Sequence, residues 1–241
     1  MVPLGMADFK LAARVRYRTR QRISRIPWLY CPLARMRRPQ HFINRHSDIV
    51  IEGFPRSGNT FATQAFRLSQ PRPMTVASHM HVPIQVSLAV RWGIPCILLV
   101  REPEAAVVSY VLFHPHLTVN EALFEYSRFY RELSPHIDGV VVADFSLVTS
   151  DFGAVVDRVN EKFSRTFHRF VHSPENVNRC FDGMEHRMRA RGKFDENRVG
   201  RPSEAREQKK VKVREELQGP ESEESLREAK NVYQWLLGLA E

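Results

Sequence analysis

A chain of 241 residues has room for one α/β domain with a sizeable core and some appended elements, and no second independent domain is expected. Hydrophobic residues at 43% and charged residues at 26% are ordinary globular usage, which excludes a wholly disordered chain and a membrane-embedded one. The formal charge of +9 is lopsided: residues 1 to 47 carry eleven Lys or Arg against Asp8 alone, leaving residues 48 to 241 at −1.

The first stretch is therefore read as a basic N-terminal arm, residues 1–47, ahead of an α/β domain over 48–241. Its opening, MVPLGMADFKLAARVRYRTR, lacks the unbroken apolar run of a signal peptide, and no run of about eighteen apolar residues follows anywhere. A cytoplasmic protein is expected, with any membrane contact peripheral. Arginine recurs at 14, 16, 18, 20 and 22, a spacing that lines one face of an extended strand but scatters round a helix. The arm reads as a solvated, partly ordered tail, or as a patch for anionic lipid headgroups or an acidic partner with Trp28, Leu29 and Tyr30 alongside. Cys31, Cys96 and Cys180 are odd in number and far apart, which offers neither a disulfide framework nor a CxxC motif and fits a reducing compartment.

After His46 the pattern alternates strand and helix. DIVIEGF (48–54) predicts a buried strand, followed by a glycine-containing loop and a helix from about Asn59 to Leu68. VPIQVSLAVRW (82–92) predicts a helix and PCILLVRE (95–102) a second central strand. Pro103 suits the first turn of the next helix, where its missing N–H costs nothing. TVNE (118–121) is a capping box opening a helix with apolar positions 119, 122, 123, 126, 129, 130 and 133. GVVVADF (139–145) predicts another strand and DFGAVVDRVNEKF (151–163) an amphipathic helix. Residues 185–214 are dense in charge and read as a mobile basic loop running into a charged helix, and a closing helix is expected over about 221–239. The fold class expected is a three-layer α/β/α arrangement around a central parallel sheet of about four to five strands.

The loop GFPRSGNT (53–60) has the outline of a phosphate-binding turn, with Gly53 and Gly58 five apart and Thr60 at its end. A strand, a glycine loop and a helix in that order aim backbone N–H groups and a positive helix end at one spot, which suits phosphate or sulfate. Asn59 stands where a nucleotide triphosphatase carries its lysine, and Arg56 supplies a fixed charge from within the loop instead. A second anion contact follows at the end of the next central strand, where Arg101 emerges on the edge at which open α/β sheets bind ligands and Ser109 lies eight residues on.

FPRSGNTF (54–61) and REPEAAVVS (101–109), in this order, resemble the two donor-binding segments of sulfotransferases that use 3′-phosphoadenosine 5′-phosphosulfate (PAPS). The likeness extends from about Asp48 to Asp151 and includes VVVADFSLV (140–148). It implies that Arg56, Ser57, Gly58, Asn59 and Thr60 hold the 5′-phosphosulfate, that Arg101 and Ser109 hold the 3′-phosphate, and that Phe61 stacks on adenine or is simply core. It also implies PAPS as donor, 3′-phosphoadenosine 5′-phosphate (PAP) as product, no required metal, and an acceptor hydroxyl or amine on a sugar, lipid headgroup or small molecule. The missing lysine then has a reason, since this donor has no β,γ-bridged triphosphate.

An attacking hydroxyl must lose a proton, and histidine is suited to take it near pH 7. ASHMHVP (77–83) lies between the anion motifs, and its His81-Val-Pro is similar to the family's His-x-Pro, which makes His81 the preferred base and His79 the alternative. A zinc reading of His79 with His81, or of His114 with His116, finds no completing carboxylate or cysteine at a familiar spacing. RVGRPSEARE (198–207) resembles in type a basic glycine loop closing over the donor, through Arg198, Gly200 and Arg201. The acceptor pocket is expected from residues 82–92, 112–134 and this late loop. Two other readings stand beside sulfuryl transfer: a P-loop kinase or nucleotide triphosphatase with a rearranged lysine, and a non-catalytic binder of nucleic acid or anionic polymer through the arm.

Overall fold

Four short strands, β1 (Ile49–Gly53), β2 (Val76–Ser78), β3 (Cys96–Val100) and β4 (Val141–Asp144), form an all-parallel sheet in the order β2-β1-β3-β4. The computed structural model describes residues 15–16, 18–19, 21–190, 192 and 204–240, the side chains of residues 187 and 204–206 apart. Alternate residues of each strand point to opposite faces, and both faces are buried. Val50, Leu98, Val100 and Val142 enter one core; Ile49, Ile51, Ile97, Leu99, Val141 and Ala143 enter the other. Two covered faces are why β3 reads as an unbroken apolar run, and β1 as one broken only by Glu52, rather than as alternating strands.

On the first face lie α1 (Pro27–Arg37), α3 (Pro83–Trp92), α4 (Pro103–Phe113), α5 (Val119–Arg131), α9 (Glu204–Gln218) and α10 (Glu223–Leu237); on the second lie α2 (Asn59–Ser69), α6 (Phe145–Ser150), α7 (Phe152–Phe163) and α8 (Pro174–Ala190). The starts follow from local chemistry. The Glu102 carboxylate caps α4 by accepting from Glu104 N at 3.0 Å and Ala105 N at 2.7 Å, with Pro103 in the first turn. Thr118 and Glu121 cap α5 reciprocally, as the TVNE box requires. Gly93 ends α3 in a left-handed conformation at φ 65°.

Several elements depart from expectation. Residues 27–37 are helical and Tyr30, Ala34, Phe42 and Ile43 are buried in the first core, so the change in composition at residue 47 is not a change in packing. Residues 15–16, 18–19 and 21–23 are helical too, which scatters Arg16, Arg18 and Arg22 instead of aligning them. β2 adds a three-residue edge strand too short to carry a pattern. Residues 185–190, expected in a loop, are the last turns of α8, whose Val177, Cys180, Phe181 and Met184 recur at helical spacing. Among the described residues no helix is long and apolar enough to cross a membrane.

The close approach of β1 to β3 depends on Gly53. A Cβ there would lie 2.3 Å from the Leu99 carbonyl oxygen and 2.9 Å from Leu99 Cβ. Gly53→Ala is expected to destabilise the fold by about 1 to 3 kcal/mol through this overlap, read as a lower urea midpoint at unchanged slope.

Candidate active site

The turn between β1 and α2 is built by two left-handed residues, Arg56 at φ 74° and Gly58 at φ 91°. A side chain at 58 would be strained by that backbone and would also meet the Phe145 ring at 3.2 Å. The strained conformation at Arg56 aims its carbonyl at Arg101, whose Nη1 donates to it at 2.9 Å. Ser57 N donates to Phe54 O at 3.2 Å and Asn59 Nδ2 to the same carbonyl at 3.3 Å, closing the turn on itself. Ser57 is 0% exposed with its hydroxyl 3.5 Å from the Tyr130 hydroxyl, and Asn59 is buried as well. These two side chains serve the turn, and with Ser57 N–H already given to Phe54 O, Asn59 has its backbone N–H to offer an anion. Thr60, by contrast, is exposed and its Oγ1 lies 3.2 Å from His79 Nε2.

The second anion segment meets the first directly. Arg56 Nε donates to Ser109 Oγ at 2.9 Å, so Arg101, Arg56 and Ser109 form one hydrogen-bonded chain across two motifs 45 to 53 residues apart. Both guanidinium groups lie over aromatic faces, Arg56 at 4.5 Å from the Phe113 centroid and Arg101 at 3.9 Å from that of Phe145. Helix α5 holds this assembly through two hydroxyls that its apolar pattern did not reveal. Tyr126 OH donates to Arg101 O at 2.7 Å, and Tyr130 OH donates to Leu99 O at 2.8 Å while accepting from Phe54 N at 3.3 Å. Burial raises both phenols well above their usual range, so both remain donors. Tyr130→Phe removes a buried donor and is expected to cost about 1 to 3 kcal/mol of stability, measured by denaturant unfolding.

Opposite the loop, the turn after β2 carries His79 and His81, both left-handed at φ 64° and 53°. Its anchor is Glu52, 0% exposed in the middle of the site and unforeseen in the sequence, although a lone acid in the apolar strand IVIEG is a visible anomaly. Glu52 Oε1 accepts from Met80 N at 2.7 Å and Gln85 Nε2 at 2.9 Å, and Oε2 accepts from His81 N at 3.1 Å. Burial pushes the Glu52 carboxyl up to about 7, against the opposing pull of the Met80, His81 and Gly53 backbone N–H groups and the Gln85 amide. Gln85 also donates to His41 O at 3.2 Å and accepts from Ile43 N at 2.9 Å, which ties the segment after α1 to the same carboxyl.

The hydrogen bonds distinguish the two imidazoles. His81 Nδ1 lies 2.9 Å from Gly53 O, an acceptor only, so Nδ1 carries the proton and Nε2 the lone pair. His79 faces hydroxyls on both sides, Ser78 Oγ at 2.8 Å from Nδ1 and Thr60 Oγ1 at 3.2 Å from Nε2.

These groups line a cleft of about 1350 Å³ at the carboxyl ends of the strands. Arg56, Thr60, His79, His81 and Arg101 all border it. Phe61 does too, but it is only 7% exposed and packs among Phe170, Phe181 and His172 at centroid distances of 6.3, 6.0 and 5.9 Å, so most of its ring belongs to the core. Of the expected acceptor segments, 112–134 supplies Phe113, His114, Glu125, Arg128, Phe129 and Glu132, whereas 82–92 supplies only Val82 and Pro83. Much of the remaining wall comes from residues 21–41 and from α8, neither of which the sequence pointed to, with Tyr110, Phe145, Thr149, Glu207 and Lys210 adding to it. Arg198, Gly200 and Arg201 lie outside the described residues. A second cavity of about 530 Å³ sits beside Ser47 and Asp48 at the amino end of β1 and is lined by no residue of either motif. Among the described residues no group of three or more His, Cys, Asp or Glu is arranged to hold a metal ion.

No family model matches the chain, and no curated protein matches it. Among solved structures it is similar to a mouse sulfotransferase, SULT7A1, crystallised as its complex with PAP, at 14% sequence identity and a TM-score of 0.44, with 83% of this chain and 91% of that chain covered.

Proposed function

We propose that the protein is a PAPS-dependent sulfotransferase that moves a sulfuryl group in line to an acceptor hydroxyl, or to an amine, and releases PAP. The observation that carries this reading is the chain of contacts Arg101 Nη1 to Arg56 O at 2.9 Å and Arg56 Nε to Ser109 Oγ at 2.9 Å, which joins two anion-binding segments at one wall of a nucleotide-sized cleft. The donor supplies the sulfuryl group and a leaving phosphate whose charge grows as the bond breaks. Arg56 and the backbone N–H groups of residues 58–60 meet that charge, while Arg101 and Ser109 orient the nucleotide by its 3′-phosphate. Phe61 borders the adenine. His81 takes the acceptor proton at Nε2, a role supported by the tautomer that Gly53 O imposes; His79 and Thr60 flank it. No step calls for a divalent metal.

Calorimetry separates this from the kinase or triphosphatase reading. PAP is expected to bind without Mg²⁺ and more tightly than ATP with it; tight Mg²⁺-dependent ATP binding with none for PAP would reverse the assignment.

The protein is further proposed to work in the cytoplasm, peripherally at a membrane. Trp28 and Met36, 77% and 72% exposed on one side of α1 and flanked by Arg35, support contact with an anionic bilayer. Cosedimentation with phosphatidylserine vesicles but not phosphatidylcholine vesicles is the expected result, and loss of that difference in high salt alone, with Trp28→Ala unaffected, would confine the contact to charge.

A further inference from the structure

The cleft has a second concentration of positive charge that the donor does not use. Arg37 and Arg38, at the end of α1, are exposed and border the cleft on the histidine side. Their position is fixed relative to the histidine turn rather than to the glycine loop. Arg38 Nη1 lies 3.5 Å from His79 O, Ser78 N donates to His41 O at 3.0 Å, and the His41 and His79 rings are 5.8 Å apart. The Gln85 bridge from His41 O and Ile43 N to Glu52 locks this segment to the carboxyl that also holds the His81 backbone.

The acidic side chains of the cleft are engaged elsewhere. Glu125 pairs with Arg128, Glu132 with Arg25 at 3.0 Å and with Arg128 at 3.7 Å, and Glu207 with Lys210 and with Arg214 at 3.3 Å. Among the described residues neither Arg37 nor Arg38 has a carboxylate partner. Arg56 and Arg101, meanwhile, are turned toward Ser109, Phe113 and Phe145. Two guanidinium groups on the histidine side of the cleft, apart from Arg56 and Arg101, have no use for a neutral aromatic acceptor. They suit an acceptor bearing a carboxylate, phosphate or sulfate, which a guanidinium fork binds in a fixed orientation and which the uncompensated field draws in.

Resting on the sulfuryl-transfer reading, we infer that the acceptor is an anionic hydroxyl compound whose negative group is held by Arg37 and Arg38 so that its hydroxyl faces His81. The chemistry is shared by soluble sugar acids or phosphates and by an anionic lipid headgroup, and the experiment distinguishes them. Transfer from radiolabelled PAPS is measured to glucuronate, glycerol 3-phosphate and phosphatidylglycerol vesicles, each against a neutral counterpart: glucose, glycerol, and diacylglycerol in phosphatidylcholine vesicles. At least one anionic member should exceed its counterpart by about tenfold or more, the worth of one good charge-assisted contact. Arg37→Gln with Arg38→Gln should abolish that preference at unchanged PAP affinity, while Arg91→Gln, which removes a charge from the exposed surface of α3, should preserve it. Preference for a soluble pair assigns a soluble acceptor, and preference for the vesicle pair alone assigns the headgroup. Equal or absent transfer across all three pairs in a protein that binds PAP, or a preference that survives the double substitution, overturns the inference and leaves the donor assignment standing. Failure to bind PAP removes the sulfotransferase reading itself.

Discussion

Arg56→Ala is expected to lower the turnover of sulfuryl transfer by about a hundredfold, the effect of deleting one group that meets developing charge, with little change in thermal stability. The separation of the two effects comes from how residue 56 is used. Its carbonyl, retained in the variant, accepts from Arg101 and keeps the turn closed. Its guanidinium is only half-buried and rests on Phe113 and Ser109, so its removal exposes no core. Arg56→Lys keeps the charge but loses the planar Nε donor to Ser109 and should recover only part of the activity. Arg101→Ala acts on a different quantity. It should weaken PAP binding and abolish discrimination against AMP, which lacks the 3′-phosphate, and it should also loosen the turn because Arg56 O loses its donor. Unchanged turnover in Arg56→Ala, or intact discrimination in Arg101→Ala, would detach that residue from the chemistry proposed for it.

Where one element determined its own structure, the sequence was enough. The six apolar positions of α5, and Leu133 just past its end, are all buried, because a 3.6-residue period and a capping box specify both the helix and its inward face without reference to the rest of the chain. The glycine loop was legible for the same reason, as a turn between a strand and a helix. What the sequence concealed is contact between distant segments. Tyr126 and Tyr130 counted correctly as apolar face, yet their hydroxyls reach Arg101 O and Leu99 O, and no periodicity reports where a hydroxyl ends up. Residues 27–43 looked like part of an arm because charge dominates their composition. A helix needs only Tyr30 and Ala34 on one side to dock, and it can carry Arg35 and the exposed Trp28 on the other. Glu52 was anomalous on sight, but its partners at 80, 81 and 85 become neighbours only when β2 lies down beside β1.

That carboxyl gives the second large effect, a dependence of stability on pH. The folded value for Glu52, about 7, lies above its ordinary 4.5, so between these values the folded chain retains a proton that the unfolded chain has released. Stability therefore falls as pH rises through the window: the penalty is absent below 4.5, complete above 7, and amounts to roughly 3 kcal/mol. Glu52→Gln removes the titration at the cost of setting an amide N–H against the His81 N–H, a penalty that does not vary with pH. The stability of the wild type relative to Glu52→Gln should accordingly decline by roughly 3 kcal/mol between pH 4.5 and 7.5, measured by urea unfolding at closely spaced pH values. Two other titratable groups face the carboxyl. Burial and Glu52 itself hold the Cys96 thiol far above this window, so it stays neutral throughout. His81 Nδ1 lies 3.7 Å from Oε2, and repeating the comparison in a His81→Asn background isolates the contribution of Glu52. A difference that stays level from pH 4.5 to 7.5 in both backgrounds would mean that Glu52 is solvated rather than sealed beneath the histidine turn, and the preset orientation of His81 would lose its support.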